Sequence, residues 1–210
     1  MLEHIINGKI MMSPLLICSM VSLAVVYDRW FAFRANRQID TRSLRTKVLN
    51  YLRADNIAGA QEECIAARGP LASVLLAALR SYEQLKEKGE GAETMRLVVG
   101  QVMDDYSAQS MHVVNKRLDV LTTIGTAAPL LGMTGTVTGM IASFAGMADS
   151  NDNSAVATGI SEAMITTATG LIVALFAVVP QSVFNRWSDE IELEIEEASS
   201  EFVEFILTHH

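Results

Sequence analysis

Residues 120–148 read VLTTIGTAAPLLGMTGTVTGMIASFAGMA, 29 positions without a charged side chain. A helix needs about 20 apolar residues to cross a bilayer, so this stretch is expected to be a membrane span. Small residues recur along it at Gly125, Ala128, Gly132, Gly135, Gly139, Ala142 and Gly146, alternately three and four positions apart. On a helix that spacing leaves one face nearly bare of side chains. Lipid gains nothing from exposed glycine, whereas a second helix can approach closely and gain van der Waals contact. The stripe is therefore expected to be an interhelical contact. Hydroxyls fill the gaps, at Thr122, Thr123, Thr126, Thr134, Thr136, Thr138 and Ser143. Each can bond across helices or to a carbonyl one turn back.

Working outward, the composition requires both a membrane part and a wet part. The 210 residues are 50% hydrophobic yet 19% charged, too apolar for an ordinary soluble domain and too charged for a chain buried in lipid throughout. A net charge of −8 and the lack of a basic cluster with interleaved aromatics argue against a nucleic-acid partner. Cys18 stands in an apolar run and Cys64 in a polar one. They offer neither a disulfide framework nor a metal spacing and read as packing residues.

Residues 10–27, IMMSPLLICSMVSLAVVY, are a first span of 18 uncharged residues. No small-residue cleavage site follows, which argues against a removable signal peptide. Pro14 is expected near the helix start, where a missing N–H is tolerated. The aromatic and basic stretch YDRWFAFRANR comes next, and Arg42, Arg45 and Lys47 continue it. By the positive-inside rule this end of the span is cytoplasmic and residues 1–9 lie outside.

Residues 28–117 hold 14 of the 16 Lys and Arg and read as a cytoplasmic helical domain. Asp55 is expected to cap a helix ending before Gly69-Pro70, and a second helix is expected over 71–88, closed by Gly89 and Gly91. From Ala92 the apolar residues Met95, Val99, Val102 and Tyr106 keep helical spacing with no breaker, so one helix is expected to run to about 147. At about 1.5 Å per residue it would be roughly 80 Å long. Residues 149–155 are expected to turn on the outer side, and a third span covers residues 156–180 with a single charge, Glu162. In the tail, residues 181–210, the apolar residues Ile191, Ile195, Ala198, Phe202 and Phe205 are spaced four and three apart. That seam belongs to a helix resting on the cytoplasmic domain or on another subunit.

The fold class that results is an all-α membrane protein. It has three transmembrane helices, with the second and third spans (residues 118–148 and 156–180) extending into the cytoplasmic domain, and the N-terminus out and C-terminus in. Of the 16 basic residues only Lys9 falls outside the assigned cytoplasmic side.

Enzyme signatures are missing: there is no HExxH, no GxSxG and no phosphate loop, because the glycines near Gly132 and Gly135 lack the following Lys. No cofactor or metal is expected. Glu162 is the residue to weigh, since a carboxylate inside a span is usually turned toward a partner or a watery cavity. The alternative is that it reaches headgroup water at the outer surface. Thr166 and Thr169 follow it by one and two turns.

The stretches 126–144, TAAPLLGMTGTVTGMIASF, and 160–180, ISEAMITTATGLIVALFAVVP, resemble the signature spans of the ExbB/TolQ/MotA proton-channel family. Residues 55–79, DNIAGAQEECIAARGPLASVLLAAL, resemble the cytoplasmic segment of its ExbB and TolQ branch, most nearly ExbB. The chain departs from some of those proteins in having few residues before the first span, and in carrying Phe176 where a proline is common. The resemblance implies a homopentamer in the bacterial inner membrane, its pore built from the second and third spans around a dimer of single-span ExbD- or TolR-like helices. It implies proton-motive-force-driven work on a TonB- or TolA-like protein, with the protonatable aspartate on the partner helix. It places Thr136, Glu162 and Thr167 along the proton pathway, beside the helix-packing residues Gly125, Ala128, Gly132, Gly135, Gly139 and Gly170. A passive scaffold or channel, its hydroxyls only joining helices, is the reading from a different class. A neighbouring gene for a one-span protein bearing an Asp would favour the motor.

Overall fold

The computed structural model describes residues 2–36, 40–150 and 153–209, with side-chain surroundings for 12–34, 40–146, 154 and 156–208. Among the described residues every element is helical: α1 (Leu2–Asn36), α2 (Thr41–Arg53), α3 (Ile57–Ala67), α4 (Pro70–Glu87), α5 (Ala92–Asn115), α6 (Leu118–Ser150) and α7 (Asn153–His209). They form two compact units, Met1–Trp30 with Arg117–Phe184, and Phe31–Lys116 with Asn185–His210. Part of the turn expected over 149–155 lies outside the described residues, as do the side chains of Lys9 and Arg37.

In the second unit, short helices are set by local chemistry at their ends. Asp40 caps α2 by accepting the Ser43 N–H at 3.1 Å. The cap of α3 is Asn56, which accepts the Gly59 N–H at 2.9 Å, rather than the expected Asp55. Asp55 instead takes a left-handed φ of 56°, a conformation its short polar side chain tolerates, and pairs with Lys86. That hydrogen bond raises the Lys86 pKa. Gly69, at φ 100°, precedes α4 and Pro70 opens it, where its fixed φ and missing N–H suit the first turn.

Each helix buries one stripe. Leu44, Val48 and Leu52 of α2, Ala60 and Cys64 of α3, and Val74, Leu75, Ala78 and Leu79 of α4 are buried. On α5 the stripe runs Met95, Val99, Met103 and Met111, so after Val99 the buried face steps by four to Met103. Of the two residues expected there, Val102 is half-buried and Tyr106 exposed. The tail seam is filled within the chain. Ile191, Ile195, Ala198, Phe202 and Phe205 are buried, and Tyr82 of α4 meets the Phe202 and Phe205 rings at 6.1 and 6.4 Å. Each such aromatic pair contributes about 0.5–1.5 kcal/mol beyond its buried area. Arg45 joins α2 to α7 through Glu197 at 2.7 Å and Glu201 at 3.2 Å. Ser188 donates to Asn115 at 2.6 Å, beside a Phe33–Trp187 ring pair at 5.7 Å.

Three helices are long and apolar enough to cross a membrane, over Met12–Arg34, Leu118–Gly146 and Val156–Thr208. In α1, Leu15 and Ser22 are buried while Leu16, Ile17, Met20 and Leu23 are exposed, so an apolar face is left for lipid or other helices. Because α1 begins at Leu2, Pro14 lies inside the helix rather than near its start, and the Ile10 carbonyl loses its helical donor. The single helix expected from Ala92 into the second span is interrupted at Lys116–Arg117. The α5 ladder closes with Lys116 N–H to His112 O at 2.9 Å. The Arg117 side chain pairs with Asp28 of α1 at 2.6 Å. Lys116 keeps helical dihedrals, φ −45° and ψ −33°, so the interruption is one of hydrogen bonding and involves neither glycine nor proline. By contrast, α7 continues from the third span into the tail without a break.

Candidate functional site

The site is built on the contact of α6 with α7. A Cβ added at Gly170 would stand 2.6 Å from the Ala128 carbonyl oxygen and 3.1 Å from the Gly132 Cα, and one at Gly132 would stand 3.1 Å from the Thr167 Cα. These neighbours are backbone atoms and cannot swing away. Further along, Gly139 faces Ala163 at 2.7 Å and Gly125 faces Val178 at 2.5 Å. The pairs 125/178, 132/170 and 139/163 run in opposite senses, as two antiparallel helices in contact require. Ala128 and Gly135 are also buried. The contact does not reach the end of the stripe, because a Cβ at Gly146 would meet open space.

The hydroxyls of α6 bond their own helix. Thr134 donates to Leu130 O at 2.8 Å, Thr136 to Met133 O at 2.7 Å and Ser143 to Gly139 O at 2.9 Å. On α7, Thr167 instead donates across to Gly132 O at 2.8 Å. The helical register aims the Thr136 N–H at that same carbonyl. The Thr167 hydroxyl and the Thr136 backbone N–H thus converge on one backbone oxygen, beside the close approach of Gly132 and Gly170.

Glu162 is not part of that convergence. It precedes Thr167 by five residues, roughly 140° around the helix, and its exposed carboxylate has no partner among the described residues. Thr166, one turn on, is buried and donates to the Glu162 carbonyl at 3.1 Å. Thr169 continues the Glu162 face, donating to Ile165 O at 2.8 Å.

One contact escaped the sequence reading: Gln181 donates to the Thr122 hydroxyl at 2.6 Å, a second polar tie between the same helices. Its signal is a lone amide at the end of an apolar run, directly after Pro180. Phe176, the position at which the resemblance raises the question of a kink, lies in unbroken helix. Cys64 is buried among apolar side chains, which pushes its thiol up to about 12 and leaves it inert near neutrality. Among the described residues no group of three His, Cys, Asp or Glu side chains is placed to hold a metal.

The sequence pattern of the MotA/TolQ/ExbB proton channel family matches residues 66–197, a stretch that includes α6 and the part of α7 that forms this contact. The chain belongs to that family. A biopolymer transport protein called ExbB-like 1 from Synechocystis is 32% identical over 188 residues, covering 85% of this chain and 68% of the relative. The biopolymer transport protein exbB1 of Vibrio cholerae is 27% identical over 191 residues, 87% of this chain and 78% of its own length. The ExbB of Pseudomonas putida is 29% identical over 197 residues, 93% of this chain and 60% of its own. These likenesses fall in the ExbB branch. With three helices able to span a bilayer, this member of the MotA/TolQ/ExbB family is a multi-pass membrane protein, and the family is one of proton channels rather than enzymes.

Proposed function

We propose that the chain is an ExbB-like subunit of an inner-membrane motor driven by the proton-motive force. Its oligomer, a homopentamer by family resemblance, surrounds a dimer of single-span ExbD-like helices and passes work to a TonB-like protein. The N-terminus lies outside and the C-terminus inside, as the distribution of Lys and Arg favours. Thr136, Thr167 and Glu162 border the proton route. The observation that carries the reading is the Glu162 carboxylate, exposed and without a partner among the described residues, on a span whose neighbour α6 is fixed through Thr167 and Gly132. An ionisable group in a span calls for a partner or water, and a pore within an oligomer supplies both.

The energy suffices. One charge crossing about 150 mV releases roughly 3.5 kcal/mol, so a few protons overcome the packing barriers between helices. A TolQ-like role in envelope maintenance would use the same geometry. The scaffold reading, in which hydroxyls join helices, has Thr167 and Thr122 in its favour, while Thr134, Thr136 and Ser143 bond only their own turn.

The test is Thr136→Val and Thr167→Val in the complex purified with its natural partners, scored by native mass spectrometry for subunit count and by energy-dependent transport in cells. Thr136→Val is expected to keep the oligomer and lose most activity. Thr167→Val is expected to lose activity and also about 0.6–1.7 kcal/mol of helix pairing. Full activity in both variants removes the pore-wall role.

A further inference from the structure

We infer that a cavity between α2 and the tail of α7 is a docking site for a lysine- or arginine-rich segment, the stretch that flanks the membrane span of the single-span partner on its cytoplasmic side. The inference rests on the motor reading above and adds to it a contact outside the bilayer, made by residues that are not pathway positions.

Charge is distributed unevenly along the chain. Residues 187–210 hold eight of the 24 Asp and Glu and none of the 16 Lys and Arg, so this tail carries the whole net charge of −8 and the rest of the chain is balanced. Arg45 takes up Glu197 and Glu201. Glu190 and Glu194 have no partner among the described residues, although they stand four apart on one helix face, where like charges repel. Both line a cavity of about 210 Å³, whose walls include Leu71 of α4, buried, and Leu193 of α7, 56% exposed. Arg42 of α2 also lines it and has no side-chain partner among the described residues, so two unanswered carboxylates face one guanidinium. Leucine beside surplus negative charge suits a lysine or arginine, whose apolar stem packs on the leucine while its head reaches the carboxylates. A bare metal ion would gain nothing from the leucines. A second copy offers a charge-balanced surface and another tail of the same charge, which the first repels. A helix that crosses the bilayer once, by contrast, carries Lys and Arg on its cytoplasmic flank by the same positive-inside rule that orients this chain. Glu190 comes ten positions after residue 180, the end of the third span. A flank emerging on that side, at up to about 3.3–3.6 Å per extended residue, has the cavity within reach.

The experiment uses the complex purified from its native membrane, with Leu193 replaced by the photoreactive p-benzoylphenylalanine, and reads by mass spectrometry which residues the adduct joins. In about 0.15 M salt the adduct is expected on the single-span partner, within the stretch flanking its span on the cytoplasmic side. Glu190→Gln with Glu194→Gln removes a repulsion within α7, which spares the fold, and is expected to cut the yield about tenfold, the scale of one hydrogen bond to a charged group. Glu190→Asp with Glu194→Asp keeps both charges and should retain most of it. Glu204 stands ten positions beyond Glu194, roughly 15 Å along the helix and past the screening length of about 8 Å at this salt, so Glu204→Gln should leave the yield unchanged. If the benzophenone itself fills the cavity and no adduct forms, the unlabelled complex decides through the salt concentration that releases the partner, expected to be lower for the glutamine pair than for the parent. Equal yield or equal release in parent and glutamine pair, an adduct confined to lipid, to a second copy or to this chain itself, or an equal loss in Glu204→Gln overturns the inference alone. A purified complex that contains no single-span partner overturns the motor reading with it.

Discussion

Replacing Gly170 by alanine tests the helix contact directly, because the clash is with backbone. The new methyl would lie 2.6 Å from the Ala128 oxygen and 3.1 Å from the Gly132 Cα. Ordinary contacts of these types need several tenths of an ångström to almost 1 Å more, and α6 and α7 have to part by that amount. A gap of about 0.5–1 Å forfeits a quarter to a half of each van der Waals contact along the seam. It also stretches the Thr167 bond to Gly132 O from 2.8 Å, worth about 0.6 kcal/mol in a membrane. Overpacking of this kind costs about 1–3 kcal/mol, set against a gain of about 1 kcal/mol because alanine is the better helix former. Gly100 supplies the control. It sits in α5 with nothing within 4 Å of the added methyl, so Gly100→Ala should stabilise by about 0.5–1 kcal/mol. The helix-former gain is common to both variants, so unfolding in detergent micelles, followed by circular dichroism against denaturant, should separate them by the overpacking cost of about 1–3 kcal/mol. A Gly170→Ala protein as stable as Gly100→Ala would refute the close backbone approach.

Other consequences are open to direct measurement. Phe202 is fully buried against Tyr82, so Phe202→Ala should cost about 3–5 kcal/mol and make the tail protease-sensitive, whereas an unchanged melting temperature would remove it from the core. Burial raises the Cys64 thiol from 9.0 to about 12; a raised folded-state value means stability is full below pH 9 and is lost as pH climbs toward 12. Tyr82, by burial, and Lys86, by its bond to Asp55, shift in the same direction. Ionising Cys64 alone withdraws up to about 4 kcal/mol, so in a Cys18→Ser background maleimide labelling should stay slow at pH 8 and rise together with loss of helicity in alkali; fast labelling of folded protein at pH 8 would contradict this. Gly135→Leu should disrupt assembly, and normal oligomers at normal abundance would return that glycine to a lipid or cavity face. Vesicles holding this chain alone should pass far fewer protons than the complex, and equal flux would overturn the division of labour with the partner helix.

How much of this was legible beforehand follows from which forces leave a trace in one dimension. Spans are visible because lipid demands long uncharged runs, and the small-residue stripe is visible because helix geometry repeats at fixed intervals. The caps required a finer distinction. Asp55 and Asn56 are both cap formers, and the choice fell to the backbone, which turned left-handed at Asp55 and left Asn56 to reach the Gly59 N–H. The α5 stripe likewise followed its neighbours, with Met103 preferred to Val102 inside the core. The interruption at Lys116–Arg117 has no local signature, since neither residue breaks a helix and the Arg117 partner, Asp28, is 89 positions away.

For the site, residue type was legible while hydrogen-bond direction was not. Threonine in a span announces a hydroxyl, yet whether its proton stays at home or crosses depends on what faces it. Thr136 and Thr167 look alike in sequence. Thr136 has Met133 O within its own turn, whereas Thr167 lies opposite Gly132, whose missing side chain leaves the carbonyl within 2.8 Å. A side chain at 132 would push the helices apart, and Thr167 would then have only a carbonyl of its own helix to bond. The glycine therefore determines what the threonine does. Gly132→Ala should on this argument move the Thr167 proton back to α7, which a shift in the hydroxyl's infrared stretching band would register. A band identical to that of the parent would mean that the Gly132 carbonyl is not what holds it.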